Sequence, residues 1–186
     1  MAIARVTILG AGAQGRALAY RVACAGFPTI LQEMAPSHMF AEEVASQQAL
    51  DTLHYGESIE DAVREADMVL DTVPDELESK LEIVTLIDRM APPATIIATP
   101  TTALSIGDLA SCTYRAERCV GLNLPPLAKL EAAGSAQGSN AEQADQPALT
   151  IMLTAQTLPE VASAVTAFCT ALGFRVTTEL DPWQQN

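Results

Sequence analysis

The stretch VTILGAGAQGRALAYRVACAGFPTILQE, residues 6–33, decides the fold. Together with the residues just before it, IARVTIL (3–9) alternates and then runs apolar, as a buried strand does. Residues 14–25 then take helical spacing: Leu18, Val22 and Ala25 share one stripe, and Gly26 stands where a helix C-cap belongs. PTILQE (28–33) reads as the next strand. Strand, glycine turn, helix and strand in so short a span make a βαβ unit.

The turn itself is GAGAQG, with Gly10, Gly12 and Gly15 in the spacing G-x-G-x-x-G around Ala11, Ala13 and Gln14. Each glycine has its own task. Gly10 permits the tight turn out of the strand, Gly12 lets backbone approach a pyrophosphate, and Gly15 lets the helix pack close to the strand. The helix start then offers free N–H groups and the positive end of its dipole to phosphate. Such a loop needs an acidic partner for the ribose hydroxyls at the end of the second strand, and Glu33 stands there. A carboxylate at that position repels a 2′-phosphate, and no Arg or Lys lies between Glu33 and Asp51. The expected ligand is therefore NAD rather than NADP. FAD-binding proteins share the loop, and a plain glycine turn beside a solvated Glu is the bland alternative.

Outward from this unit the chain keeps alternating. Residues 35–57 are expected as a helix, and SIEDAVREA (58–66) as another, with Ser58 as N-cap and Asp61 at N3. Strands are expected at 67–73, 94–100, 119–124, 148–153 and 174–179, and helices at 75–91, 105–111 and 158–172. GSAQGSNAEQADQP, 134–147, is polar and turn-rich and is expected to be a mobile loop. The end, 181–186, is expected to be an irregular tail. The alternation predicts one α/β domain over residues 1–186: a doubly wound, mostly parallel sheet of Rossmann type.

Composition narrows the partners. The formal charge is −13, and the ten basic residues form no cluster. Nucleic acid and acidic membrane surfaces are therefore excluded as partners, while a small-molecule nucleotide is not. No window reaches the length of a membrane span, and the first residues do not read as a signal peptide. A cytoplasmic protein is expected. The four cysteines form no CxxC and the histidines are only two, His38 and His54, so no metal site is expected.

Four blocks, VTILGAGAQGRALAYRVACAGF, ADMVLDTVPDELESK, APPATIIATPTTALSIGDLA and RAERCVGLNLPPLAKLE, resemble in order and spacing the NAD-binding domain of 3-hydroxyacyl-CoA dehydrogenases. The resemblance implies that Asp75 and Lys80 lie near the nicotinamide-side ribose; the bland alternative for them is a helix-surface charge pair. It places Thr102, in PTTA, at the family's substrate-binding Ser. It places Asn123, in GLNL, at the family's general-base His, and Glu131, after Lys129 and Leu130, near the Glu that orients that His. A carboxamide does not titrate near neutrality, so Asn123 cannot act as a base. The family's long excursion after its second strand does not fit into the 24 residues between Glu33 and Ser58, and its helical domain is expected to be missing beyond LDPWQQN. A homodimer or a partner chain would then cover the bared face. The expected function is an NAD-dependent oxidoreductase acting on a 3-hydroxy or 3-keto acyl-type substrate, in fatty acid metabolism. The alternative is an NAD(H)-binding module or subunit without turnover.

Overall fold

The computed structural model describes residues 2–33, 51–132 and 146–184. Most of the expected helix 35–57 and most of the expected loop 134–147 lie outside the described residues.

The chain runs β1 (Val6–Leu9), α1 (Ala13–Cys24), β2 (Thr29–Gln32), β3 (Leu53–Tyr55), α2 (Ile59–Val63), β4 (Met68–Asp71), α3 (Leu77–Met90), β5 (Ile96–Pro100), α4 (Ile106–Ser111), β6 (Cys119–Asn123), α5 (Leu127–Ala132), β7 (Ala148–Leu153), α6 (Pro159–Ala171) and β8 (Arg175–Leu180). Single 3-10 turns lie at Ala116–Arg118 and Pro182–Gln184. The strands form one sheet of eight in the order β3-β2-β1-β4-β5-β6-β7-β8. All pairings are parallel except β6 with β7, where Leu122 opposes Ile151 in an antiparallel register. The sheet is thus α/β and doubly wound, with its strand order reversing between β1 and β4.

Burial explains why these short segments are strands. Every residue of β1, β4 and β5 is buried, which is the continuous apolar signature of a strand covered on both faces. Ile8, Leu70 and Ala98 pack with Leu18, Val22 and Phe168 on one face. Leu9, Val69 and Ile97 pack with Ile83, Val84 and Ile87 on the other. One face is closed mainly by α1 and α6, the other by α2, α3 and α4.

One expectation changes. Residues 53–55 are not helical but form β3, parallel to β2, with Leu53 buried in the core. Three residues with one side chain buried are too few to display a period of two. The antiparallel β6–β7 join separates β7 and β8 from the parallel run. The end expected as an irregular tail starts from an anchored residue: Asp181 is fully buried, and its carboxylate accepts from the Gly107 amide at 3.0 Å and the Ser105 hydroxyl at 3.2 Å. The expected cap of α2 forms, with Ser58 accepting from the Asp61 amide at 3.1 Å. Gly26, after α1, has the left-handed φ of +88° that a C-cap glycine takes.

Candidate functional site

At a strand-order reversal the loops leaving adjacent strands diverge and open a crevice at their carboxyl ends. β1 and β4 are the two strands here, and the glycine loop leaves β1. Gly10 has φ +103°, and a Cβ on it would lie 2.9 Å from the Thr72 hydroxyl. A Cβ on Gly15 would lie 1.9 Å from the Gly10 carbonyl, so no side chain fits where α1 crosses the loop. Thr72, just after β4, binds the loop from the other strand. Its hydroxyl donates to the carbonyls of Leu9 at 2.9 Å and Gly10 at 2.8 Å.

Gly12 differs from its two neighbours. A Cβ there would meet nothing within 4 Å, so the space in front of the loop is open. Gly12 is also the N-cap of α1; it has no side chain to cap the helix, and no acidic residue occupies the first turn. The amides of Gly12, Ala13 and Gln14 have no hydrogen-bond partner among the described residues. An uncapped helix start with open space before it fits an anionic diphosphate. Glu33 directly follows β2 beside the loop, and its carboxylate accepts from the Ala11 amide at 3.2 Å. That contact fixes the carboxylate at the mouth of the glycine turn.

A cleft of about 280 Å³ continues from the loop across the ends of β4, β5 and β6. It is lined by Gln14, Thr72, Asp75, Thr101, Thr102 and Leu122, among others. Asp75 reaches over from the β4–α3 connection and accepts from the Thr102 amide at 3.2 Å, tying the two loops at the cleft mouth. The Thr101 hydroxyl is turned inward and accepts from the amides of Ala103 and Leu104. The Thr102 hydroxyl makes no hydrogen bond among the described residues, so it remains available to a ligand.

Lys80 departs from its expected place. It does not pair with Asp75 and is not on the surface: its ammonium is buried and donates to the Asp71 carboxylate at 2.8 Å. Asp71 also accepts from the Thr99 hydroxyl at 2.7 Å. Burial pushes the Asp71 carboxyl upward from its ordinary value, opposed by Lys80, by Thr99 and by the Val73 amide. Lys80 therefore braces the end of β4 from beneath the cleft rather than reaching into it. Asp71 and Thr99 went unrecognised in the sequence because both sit inside apolar strand runs.

The turn after β5 brings Thr102 alongside β6, where the Thr101 amide donates to the Leu122 carbonyl at 3.3 Å. Thr102 lines the cleft; Leu122 and Leu124 line it on β6 and just beyond, and Asn123 between them is exposed, in register with Thr150 of β7. Glu131 is exposed on α5, whose Leu130 carbonyl accepts from Arg21 of α1 at 3.3 Å. Among the described residues no hydrogen bond links Thr102, Asn123 and Glu131.

The fold and this loop define a dinucleotide-binding domain. Residues 5–130 match the family model of the 3-hydroxyacyl-CoA dehydrogenase NAD-binding domain. The chain belongs to that family, and its cofactor is NAD(H). It is 26% identical over 151 residues to a probable 3-hydroxybutyryl-CoA dehydrogenase of Bacillus subtilis, covering 70% of this chain and 52% of the relative. It is 28% identical over 149 residues to a 3-hydroxybutyryl-CoA dehydrogenase of Bradyrhizobium diazoefficiens, covering 69% and 50%. The chain thus spans about half the length of the curated relatives it matches. The crystal structure of FadB2 from M. tuberculosis shares the fold, with a TM-score of 0.80 at 22% identity over 97% of this chain and 65% of that one. Among the described residues no helix is long and apolar enough to cross a membrane.

Proposed function

We propose that the chain serves NAD-dependent oxidoreduction of a 3-hydroxy or 3-keto acyl-type substrate, in the cytoplasm and within fatty acid metabolism. The observation that carries the reading is the cleft itself: it runs from Gln14 at the start of α1, past Thr72, to Thr102, whose hydroxyl makes no hydrogen bond among the described residues. The two curated relatives are named for 3-hydroxybutyryl-CoA, which supplies the substrate class.

The amides of Gly12, Ala13 and Gln14 hold the diphosphate, while Gly10, Ala11 and Gly15 shape the loop that presents them. Glu33 takes the adenosine ribose hydroxyls and disfavours a 2′-phosphate. Asp75 faces the nicotinamide end of the cleft, and Lys80 acts from below through Asp71. Bound NAD(H) supplies the hydride acceptor or donor. Thr102 orients the substrate oxygen by one hydrogen bond.

Asn123 cannot take up the alcohol proton, and Glu131 has no imidazole to orient. A positioned acid or base contributes about 10²–10⁴ in rate, so turnover is expected to be slower than in a site that holds one by roughly that factor. The test is NADH consumption with a 3-ketoacyl-CoA, using the unmodified chain and Thr102→Ala. Slow turnover that falls in Thr102→Ala supports the reading. NADH binding with no turnover contradicts it and leaves the non-catalytic module.

A further inference from the structure

The far edge of the sheet carries an unused strand. β8 pairs with β7 on one side, and among the described residues nothing pairs with its other side. The Arg175 amide donates to the Pro147 carbonyl, and the Asp181 amide to the Leu153 carbonyl. Odd-numbered residues of β8 therefore face β7. By the alternation of a strand, Val176, Thr178 and Leu180 direct their N–H and C=O groups outward. Five of the six residues of β8 are exposed. Among the described residues its outer edge is a row of donors and acceptors without partners, on a strand rich in β-branched residues.

Charge decides what such an edge accepts. The whole chain is at −13, so a second copy meets long-range repulsion and needs local complementarity to approach. β8 has that complementarity with itself. Arg175 and Glu179 are both exposed, neither has an ion-pair partner among the described residues, and Thr177 lies midway between them. Two antiparallel copies related by a two-fold axis through Thr177 would place Arg175 of each opposite Glu179 of the other. The same register places Val176 opposite Thr178, both with outward backbone groups, so the hydrogen-bonded pairs fall where the free donors and acceptors are. Thr177 meets Thr177, and Arg175 meets Glu179, at the closer non-hydrogen-bonded sites, where cross-strand side chains interact most. A shift of the axis by half a residue would oppose outward groups with inward ones. A shift by a whole residue would bring Glu179 opposite Thr177 and lose the ion pair. Edge charges usually guard a strand against pairing, but opposite signs placed symmetrically about a centre guard it against other strands and not against itself.

We propose that two copies of this chain join edge to edge through β8, antiparallel and centred on Thr177, with reciprocal Arg175–Glu179 ion pairs, to form one continuous sheet.

The experiment measures the mass of the full chain in solution by sedimentation equilibrium from micromolar to sub-millimolar concentration. It is run with Arg175→Glu, Glu179→Arg, the double exchange and Thr178→Pro. Thr178→Pro deletes an outward donor and spares the bonds to β7, and circular dichroism checks that each variant keeps the fold. The unmodified chain is expected to dimerise. Each single reversal sets two like-charge pairs against each other and should weaken the dimer by roughly tenfold or more. The double exchange should restore it, and Thr178→Pro should abolish it. A chain that stays monomeric overturns the proposal. So does a dimer indifferent to charge reversal or to Thr178→Pro, or one that the double exchange fails to rescue.

Discussion

Lys80 places a full positive charge where almost no water reaches, with the Asp71 carboxylate 2.8 Å away as its counter-ion. Such a pair is weak evidence of net stabilisation, but removing one partner strands the other. Lys80→Met is therefore expected to lower stability by about 3–5 kcal/mol. The double change Lys80→Met with Asp71→Leu should recover much of that loss. Urea unfolding checks both, and a single variant as stable as the parent would contradict the buried pairing. The cysteines differ sharply in exposure. Burial pushes the Cys119 thiol up to about 11 and the Cys169 thiol up to about 12, so both stay protonated near neutrality. Iodoacetamide at mildly alkaline pH should modify exposed Cys112 while sparing Cys119 and Cys169 until the chain is unfolded, as peptide mass mapping would show. The turn was legible in the sequence at Gly10 and Gly15, where a left-handed φ and a close backbone crossing exclude a side chain. The partner of Lys80 was not, because a spacing of five along the chain says nothing about a carboxylate on the neighbouring strand.

At the scale of elements, α4 shows how the end of the described chain serves the cleft. Ser105 caps the helix by accepting from the Asp108 amide at 3.2 Å. Asp181 takes the Gly107 amide at 3.0 Å, and its other oxygen accepts from Trp183 at 3.2 Å. The turn holding Thr101 and Thr102 leads directly into this helix. Asp181→Ala leaves a helix-start amide without its acceptor and should cost about 1–3 kcal/mol. It should also weaken the Thr102 contribution to any turnover; thermal unfolding and kinetics together test it. Most elements were legible because four or five consecutive buried apolar residues between turn signals leave few alternatives. β3 was not, because the edge of a sheet asks for only one buried side chain, Leu53. The direction of β7 was not either, since apolar runs look the same in parallel and antiparallel pairs.

For the whole molecule, the order of strands fixes the site. The reversal between β1 and β4 puts the open amides of α1, the Glu33 carboxylate and the cleft mouth at one end of the sheet, and the β8 edge far to one side. The Rossmann architecture was legible from the alternation of strands and helices. That no hydrogen bond links Thr102, Asn123 and Glu131 among the described residues was not, since the Thr102 amide is taken by Asp75 and α5 packs against α1 through Arg21. The glycine loop and Glu33 are expected to form a working site that prefers NAD(H). Titrating NADH and, separately, NADPH into the purified chain, with Glu33→Ala alongside and nicotinamide fluorescence as the signal, tests it most directly. Saturable NADH binding, much weaker NADPH binding and loss of that preference in Glu33→Ala are expected. Binding of neither nucleotide at millimolar concentration, or equal binding of both by the unmodified chain, would contradict it.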